Sequence, residues 1–128
     1  QINATFVSGG DVDIDRNDLS RQFILPGLGD SSNFSVFYED SKVTARIALN
    51  TRGETVAGFG NYDQPLYVEK REQWDLSMAY NLNEDAVVFF EVQNLNDEPT
   101  RLYARHKEML FLSQDHGPIH RLGFRYKF

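Results

Sequence analysis

The sequence predicts an all-β chain: an antiparallel transmembrane β-barrel segment, about six strands in a meander with long loops on one side and short turns on the other. Three observations predict it. The stretch His120 to Phe128 alternates strictly, with Leu122, Phe124, Tyr126 and Phe128 on one face and Arg121, Arg125 and Lys127 on the other. The same period-2 pattern recurs five times upstream. The connections between those strands run long, short, long, short, long, which is the asymmetry of an outer-membrane barrel.

Taken in order, Gln1–Ser8 is the first strand, with Ile2, Ala4 and Phe6 opposed to Asn3 and Thr5, and Gly9-Gly10 ends it. Residues 9–31 form a long acidic loop with Gly and Pro. Asn33–Glu39 is the second strand, with Phe34, Val36 and Tyr38 on one face. Asp40-Ser41-Lys42 is a tight turn. Val43–Arg52 sets Val43, Ala45, Ile47 and Leu49 against Thr44, Arg46, Ala48 and Asn50. Residues 53–70 are a second long loop, rich in Gly and Tyr. Glu72–Leu82 sets Trp74, Leu76, Met78 and Tyr80 against Gln73, Asp75, Ser77, Ala79 and Asn81. Asn83-Glu84-Asp85 is a short turn. Ala86–Leu95 sets Ala86, Val88, Phe90 and Val92 against Phe89, Glu91 and Gln93. Residues 96–117 are the third long loop, in which Arg101 to Leu112 reads as strand extensions in preference to a helical turn. Ile119–Phe128 closes the chain.

The faces predict an environment. Arg46, Asp75, Glu91 and Arg125 sit in mid-strand on the polar side, which suits a water-filled lumen. Trp74, Tyr80 and Tyr126 flank the apolar side, as interfacial aromatics do. A ten-residue strand rises roughly 33 Å, or about 23 Å when tilted near 45°, close to the thickness of the outer membrane.

Composition narrows the function. The 128 residues suit one domain or part of a larger one. A net charge of −6 argues against nucleic acid as a partner. There is no Cys, which excludes disulfides and thiolate metal sites. No run of about 18 apolar residues exists, so no membrane-spanning helix is predicted. The chain opens already in strand pattern and without a signal peptide, so its N-terminus is expected to be internal to a longer protein.

Several stretches invite chemistry. Asp11-Val12-Asp13-Ile14-Asp15 suggests a calcium loop, but Arg16 and Gln22 stand where that loop wants Gly and Glu. An acidic, solvated loop is the simpler reading. His106, His116 and His120 with Asp115 match no metal template. Ser113, Asp115 and His116 lack a nucleophile turn. No catalytic residue, metal or cofactor is therefore assigned. The loop aromatics Phe59, Tyr62, Tyr67 and Tyr103 suit either stacking on a sugar or an aromatic siderophore, or packing within the loops. Arg46, Arg52, Arg121 and Arg125 suit contact with an interior domain or an anionic ligand, or, as the simpler reading, pairing with Asp75 and Glu91 across the lumen.

The ordered set of stretches is similar to a known family. Leu25-Pro26-Gly27, Phe37-Tyr38-Glu39, Ala45 to Arg52, Trp74 to Tyr80, Phe90 to Pro99 and the closing Leu122 to Phe128 follow one another over nearly the whole chain. Together they resemble the C-terminal end of a TonB-dependent outer-membrane receptor, closest to a proteobacterial branch linked with carbohydrate uptake. The resemblance implies a barrel of about 22 strands with an internal plug, of which residues 1–128 carry the last part. It implies energy-coupled uptake of a scarce ligand at the bacterial outer membrane. The implied partners are outer-membrane lipid, the plug domain, TonB through an N-terminal part, and the barrel-assembly machinery, for which Tyr126 and Phe128 form the signal. A passive porin-type barrel and a soluble β-sandwich binding module are the rival readings.

Overall fold

The computed structural model describes residues 1–9, 15–18, 20, 22–23 and 26–128, with Tyr62 described by its backbone alone. The chain is all-β, with two antiparallel sheets. The strands are β1 (Ile2–Val7), β2 (Ser31–Glu39), β3 (Val43–Arg52), β4 (Thr55–Phe59), β5 (Pro65–Val68), β6 (Arg71–Asn81), β7 (Ala86–Gln93), β8 (Thr100–Ala104), β9 (Leu110–Gln114) and β10 (Ile119–Tyr126). The six-stranded sheet has the order β1-β2-β3-β6-β7-β10, and the four-stranded sheet the order β4-β5-β8-β9.

The six strands expected from alternation form the larger sheet, with ends shifted by one or two residues. Its register sorts the side chains as the sequence pattern requires. Val36, Ile47, Leu76 and Val92 lie in one cross-strand row. Tyr38, Ala45, Met78, Phe90 and Leu122 form the next, and Val43, Tyr80, Val88 and Phe124 the one after. The opposite face carries Asn33, Asn50 and Gln73, then Ser35, Ala48 and Asp75, then Phe37, Arg46, Ser77, Glu91 and Arg121. Arg125 lies farther along that face, opposite Val87. On the apolar side Val92 is buried, but Ile2, Phe34, Ile47, Met78, Phe90 and Phe124 are all exposed, and Leu122 is 78% exposed.

Two of the expected loops prove to be structured. Residues 53–70 carry β4 and β5, and residues 96–117 carry β8 and β9. These strands prolong the hairpins beneath them. Arg52 pairs with Arg71, and three residues farther along each strand Thr55 pairs with Val68 in the same register. The second sheet therefore repeats the order β3-β6-β7-β10 with the continuation of each strand. The strand reading of Arg101 to Leu112 is met by β8 and β9, whereas periodicity missed β4 and β5; both hairpins are interrupted. The register shifts between Val56 and Gly58 and between Leu102 and Tyr103, and Gly58, Gly60 and Pro65 punctuate the first hairpin as a loop would.

The short turns lie at the other end. Asp40 accepts hydrogen bonds from the N–H groups of Lys42 and Val43, both at 2.7 Å, and from the Tyr38 hydroxyl at 2.7 Å. Those donors, the Lys42 N–H first, hold its carboxyl below the ordinary aspartate range. At the second turn, Leu82 N–H reaches the Ala86 carbonyl at 2.8 Å and the Asn83 side chain accepts from Asp85 N–H at 3.0 Å.

Gly123 has a packing role. It stands opposite Phe89 on the polar face, and the Phe89 ring lies across it, so that a Cβ at 123 would fall 2.0 Å from the ring. Glycine admits an aromatic neighbour where any side chain would expel it. Replacing Gly123 by Ala should cost about 1–3 kcal/mol through overpacking, and the cost should shrink in a Phe89→Ala background. Urea unfolding of the single and double variants measures the difference; equal costs in both backgrounds would show that the ring is not the cause.

Candidate functional site

The polar face of the larger sheet is the first candidate surface. Its centre holds the small residues Ser35 and Ala48, both buried. They leave a hollow of about 340 Å³ lined by Arg46, Asn50, Asp75, Ser77, Glu91 and Gln93, among others. Asp75 organises this surface. It accepts from Asn50 Nδ2 at 2.9 Å, from Gln73 Nε2 at 2.7 Å and from the Asn94 N–H at 3.0 Å. Asn33 extends the chain of amides by donating to Asn50. The expected pairing of Asp75 with arginine is thus replaced by amides. Only Glu91 follows that expectation, with Arg121 at 3.7 Å, and this is the one ion pair on the polar face among the described residues. Arg46 and Arg125 are exposed, with guanidiniums free to meet an anionic group.

The segment Asn94 to Pro99 ties this face to the second sheet. Asn94 is buried and sits at φ 59°, a left-handed conformation that Asn tolerates. Its side chain donates to the Glu98 carbonyl at 3.2 Å and the Gly117 carbonyl at 3.4 Å, and accepts from Glu98 N–H at 2.9 Å. Asn96 then imitates a strand: it accepts from Trp74 N–H at 3.0 Å and donates to the Glu72 carbonyl at 2.7 Å. One junction thus fixes where the third connection leaves β7 and where it returns.

The second sheet holds the other cluster. Val56, Tyr67 and Tyr103 form its buried core, each 1% exposed. The two tyrosine rings stack 5.3 Å apart at 15°. Arg16, from the first connection, lies over them, 4.6 Å from the Tyr67 ring and 5.8 Å from that of Tyr103. Its guanidinium pairs with Glu54 at 2.6 Å and donates to the Arg105 carbonyl at 3.1 Å. Tyr103 donates its hydroxyl proton to Glu54. Tyr67 and Tyr103 are therefore core, stacked on each other and on Arg16, and offer no open platform to a ligand. Phe59 is half-buried at the end of β4, opposite Pro65, and the Tyr62 side chain lies outside the described residues.

The remaining candidates are scattered. The acidic stretch 11–14 is outside the described residues. Asp15 is engaged locally: its N–H and carbonyl bond the Gln22 side chain at 3.1 and 2.8 Å. His120 stacks on Phe90, 6.3 Å between ring centres, while His106 sits in the β8–β9 turn and His116 is exposed. Among the described residues no three His, Cys, Asp or Glu side chains are grouped to hold a metal ion. Tyr126 stacks on Phe124 at 6.4 Å and meets Phe128 edge-on at 5.1 Å. Sequence reasoning missed Glu54, Asn94 and Arg16. An Arg in an acidic loop is a weak signal of a socket lying 38 to 89 residues away.

Compared with protein-family models, curated protein sequences and solved structures, the chain matches none.

Two outcomes test this geometry. Burial first, and then its hydrogen bond to Glu54, push the Tyr103 phenol up from 10.0 to about 12. The neutral phenol is the form the fold favours. Its contribution to stability is complete below the ordinary value and is lost as pH rises through about 12. Alkaline titration at 295 nm should show a late phase that Tyr103→Phe removes. Separately, Asp75→Asn keeps one acceptor oxygen and turns an amide toward the donors of Asn50 or Gln73. It should cost about 1–3 kcal/mol in urea unfolding; a neutral result would mean that the amide ladder re-forms without the carboxylate.

Proposed function

We propose that the chain is a wall segment of a TonB-dependent outer-membrane receptor, with the apolar face of its larger sheet toward lipid and the polar face toward the interior. The receptor takes up a scarce ligand, of carbohydrate or siderophore type, with energy drawn through TonB. The observation that carries this reading is the contrast of the two faces over six consecutive strands. One side presents exposed Phe34, Ile47, Met78, Phe90, Leu122 and Phe124. The other presents an amide and carboxylate ladder around Asp75. In water such an apolar face exceeds the few hundred Å² that a soluble monomer tolerates. In a bilayer it is the expected surface of a barrel.

Supporting it, the tight turns at Asp40 and Asn83 lie at one end of the sheet, and the long connections, with their strand extensions, at the other. A soluble sandwich would need its second sheet laid over the apolar side, and the four-stranded sheet prolongs the hairpins instead. The strands β1 and β10 each have one edge without a partner among the described residues. In lipid, unpaired backbone groups cost several kcal/mol each, so the remaining strands of a closed barrel would complete both edges. A passive porin-type barrel shares this wall and differs in lacking a plug and TonB coupling.

The absence of Cys from residues 1–128 gives a clean background for labelling. In outer membranes of cells producing the full-length protein, Cys placed at Leu122 or Phe90 should resist a water-soluble maleimide. Cys at Ser77 or Arg125 should react once the interior is accessible. Equal reactivity at all four positions, or recovery of the protein in the soluble fraction, would overturn the reading.

A further inference from the structure

We propose that the hollow in the polar face is a binding subsite for a neutral, hydroxyl-rich ring of the sugar class. Small residues make the space. Ala48 lines the hollow and stands beside Ser35 in the register of β2 and β3, each 5% exposed. A volume of about 340 Å³ lies at the small end for ligand sites and suits one ring, not a bulky chelate.

Part of the rim is fixed in advance. Asn50 accepts from Asn33 and donates to one Asp75 oxygen at 2.9 Å, while Gln73 and the Asn94 N–H hold the other. Such a rim needs no ordering when a ligand arrives, which removes one cost of binding. The rest of the rim has capacity to spare. Arg46, Ser77 and Gln93 make no side-chain hydrogen bond or ion pair among the described residues. Glu91 faces Arg121 at 3.7 Å, too far for a hydrogen bond, so its carboxylate can still accept one.

The charges select among ligands. An anion drawn to Arg46 would meet Asp75 and Glu91 in the same hollow. A cation would meet Arg46 and find both Asp75 oxygens engaged. A hydroxyl group donates and accepts at once, so a ring carrying several can use Arg46, Glu91, Ser77 and Gln93 together. Phe37 stands opposite Arg46 in the register, half-buried on the same face, and offers an apolar surface to the C–H side of such a ring. An aromatic ligand would want a stacking platform, and Tyr67 and Tyr103 are buried against each other. The inference deepens the proposed function by choosing its carbohydrate branch, and rests on that reading for the hollow's place inside a barrel.

The test is calorimetric titration of the purified full-length protein with maltotriose, cellotriose and xylotriose, and with the trimer of galacturonic acid as a charged counterpart. At least one neutral trisaccharide should bind, and the acidic trimer should bind more weakly. Ser77→Ala and Gln93→Ala should each weaken the neutral ligand about five- to tenfold, the loss of one hydrogen bond. Arg125→Ala, on the same face but outside the hollow, should leave the affinity unchanged. Failure of all three neutral trisaccharides to bind would overturn the subsite. So would tighter binding of the acidic trimer, or binding that Ser77→Ala and Gln93→Ala leave untouched. The maleimide pattern is a separate readout. Sugar binding by a protein recovered in the soluble fraction would sink the receptor reading and keep the subsite, and a protected Leu122→Cys with no sugar binding would do the reverse.

Discussion

Everything in this chain depends on the pairing register of the larger sheet. Side chains alternate with a period of two, so a slip of one residue in any strand would carry its apolar set to the other face. Here the register holds over five successive pairings, from Ile2 opposite Val36 to Tyr126 opposite Ala86. The result is a sheet with little core of its own. Val56, Tyr67 and Tyr103, the buried cluster, belong to the second sheet. The larger sheet buries Val92 and the small residues Ala48, Ser35 and Ala86, while most of its large apolar side chains stay exposed. Backbone pairing organises such a structure.

The same register explains how the second sheet arises. A hairpin continues past the sheet as long as its residues can pair. The first hairpin resumes pairing at Thr55 and Val68 after a break of two residues on each side. The second must cross a wider gap, because β7 leaves its ladder at Asn94. Asn94 and Asn96 bridge that gap with side-chain amides where a strand would use its main chain. Amides can do this because each offers a donor and an acceptor, as a peptide group does. The Asn94-Leu95-Asn96 run is thus a splice between two sheets, and its polar content has a structural cause.

Legibility followed periodicity. Val43–Arg52 is found at the bounds that alternation alone predicts, because every residue in it obeys the pattern. The faces of Arg46, Asp75, Glu91 and Arg125 were legible for the same reason. In the second sheet the extensions around Arg101 to Leu112 were legible, but β4 and β5 were not, since they are five and four residues long and their register shifts at Val56 to Gly58. Gly58 and Pro65 read as loop residues in isolation, and become strand residues because Tyr67 gains a stacking partner on β8. Tyr103 was picked out as an aromatic worth explaining, and its amphipathic character is used, with the ring buried and the hydroxyl on Glu54. The partners of Asp75 were misjudged because charge invites charge on paper. In the sheet the donors that reach it are the amides of Asn50 and Gln73, fixed by register, and the Asn94 N–H, while Arg46 across the same hollow stays exposed.

The two clusters differ in how many segments hold them. Asp75 is held by three donors from three different segments, so its surroundings must move together or not at all. Arg16 is one long side chain, one-third exposed, whose guanidinium meets Glu54, the Arg105 carbonyl and the stacked rings of Tyr67 and Tyr103. Loss of a contact of the first kind propagates through the sheet. Regions that move in proteins are drawn from contacts of low local density, and those that position a site from high. By that criterion the polar face around Asp75 is the firmly held surface among the described residues.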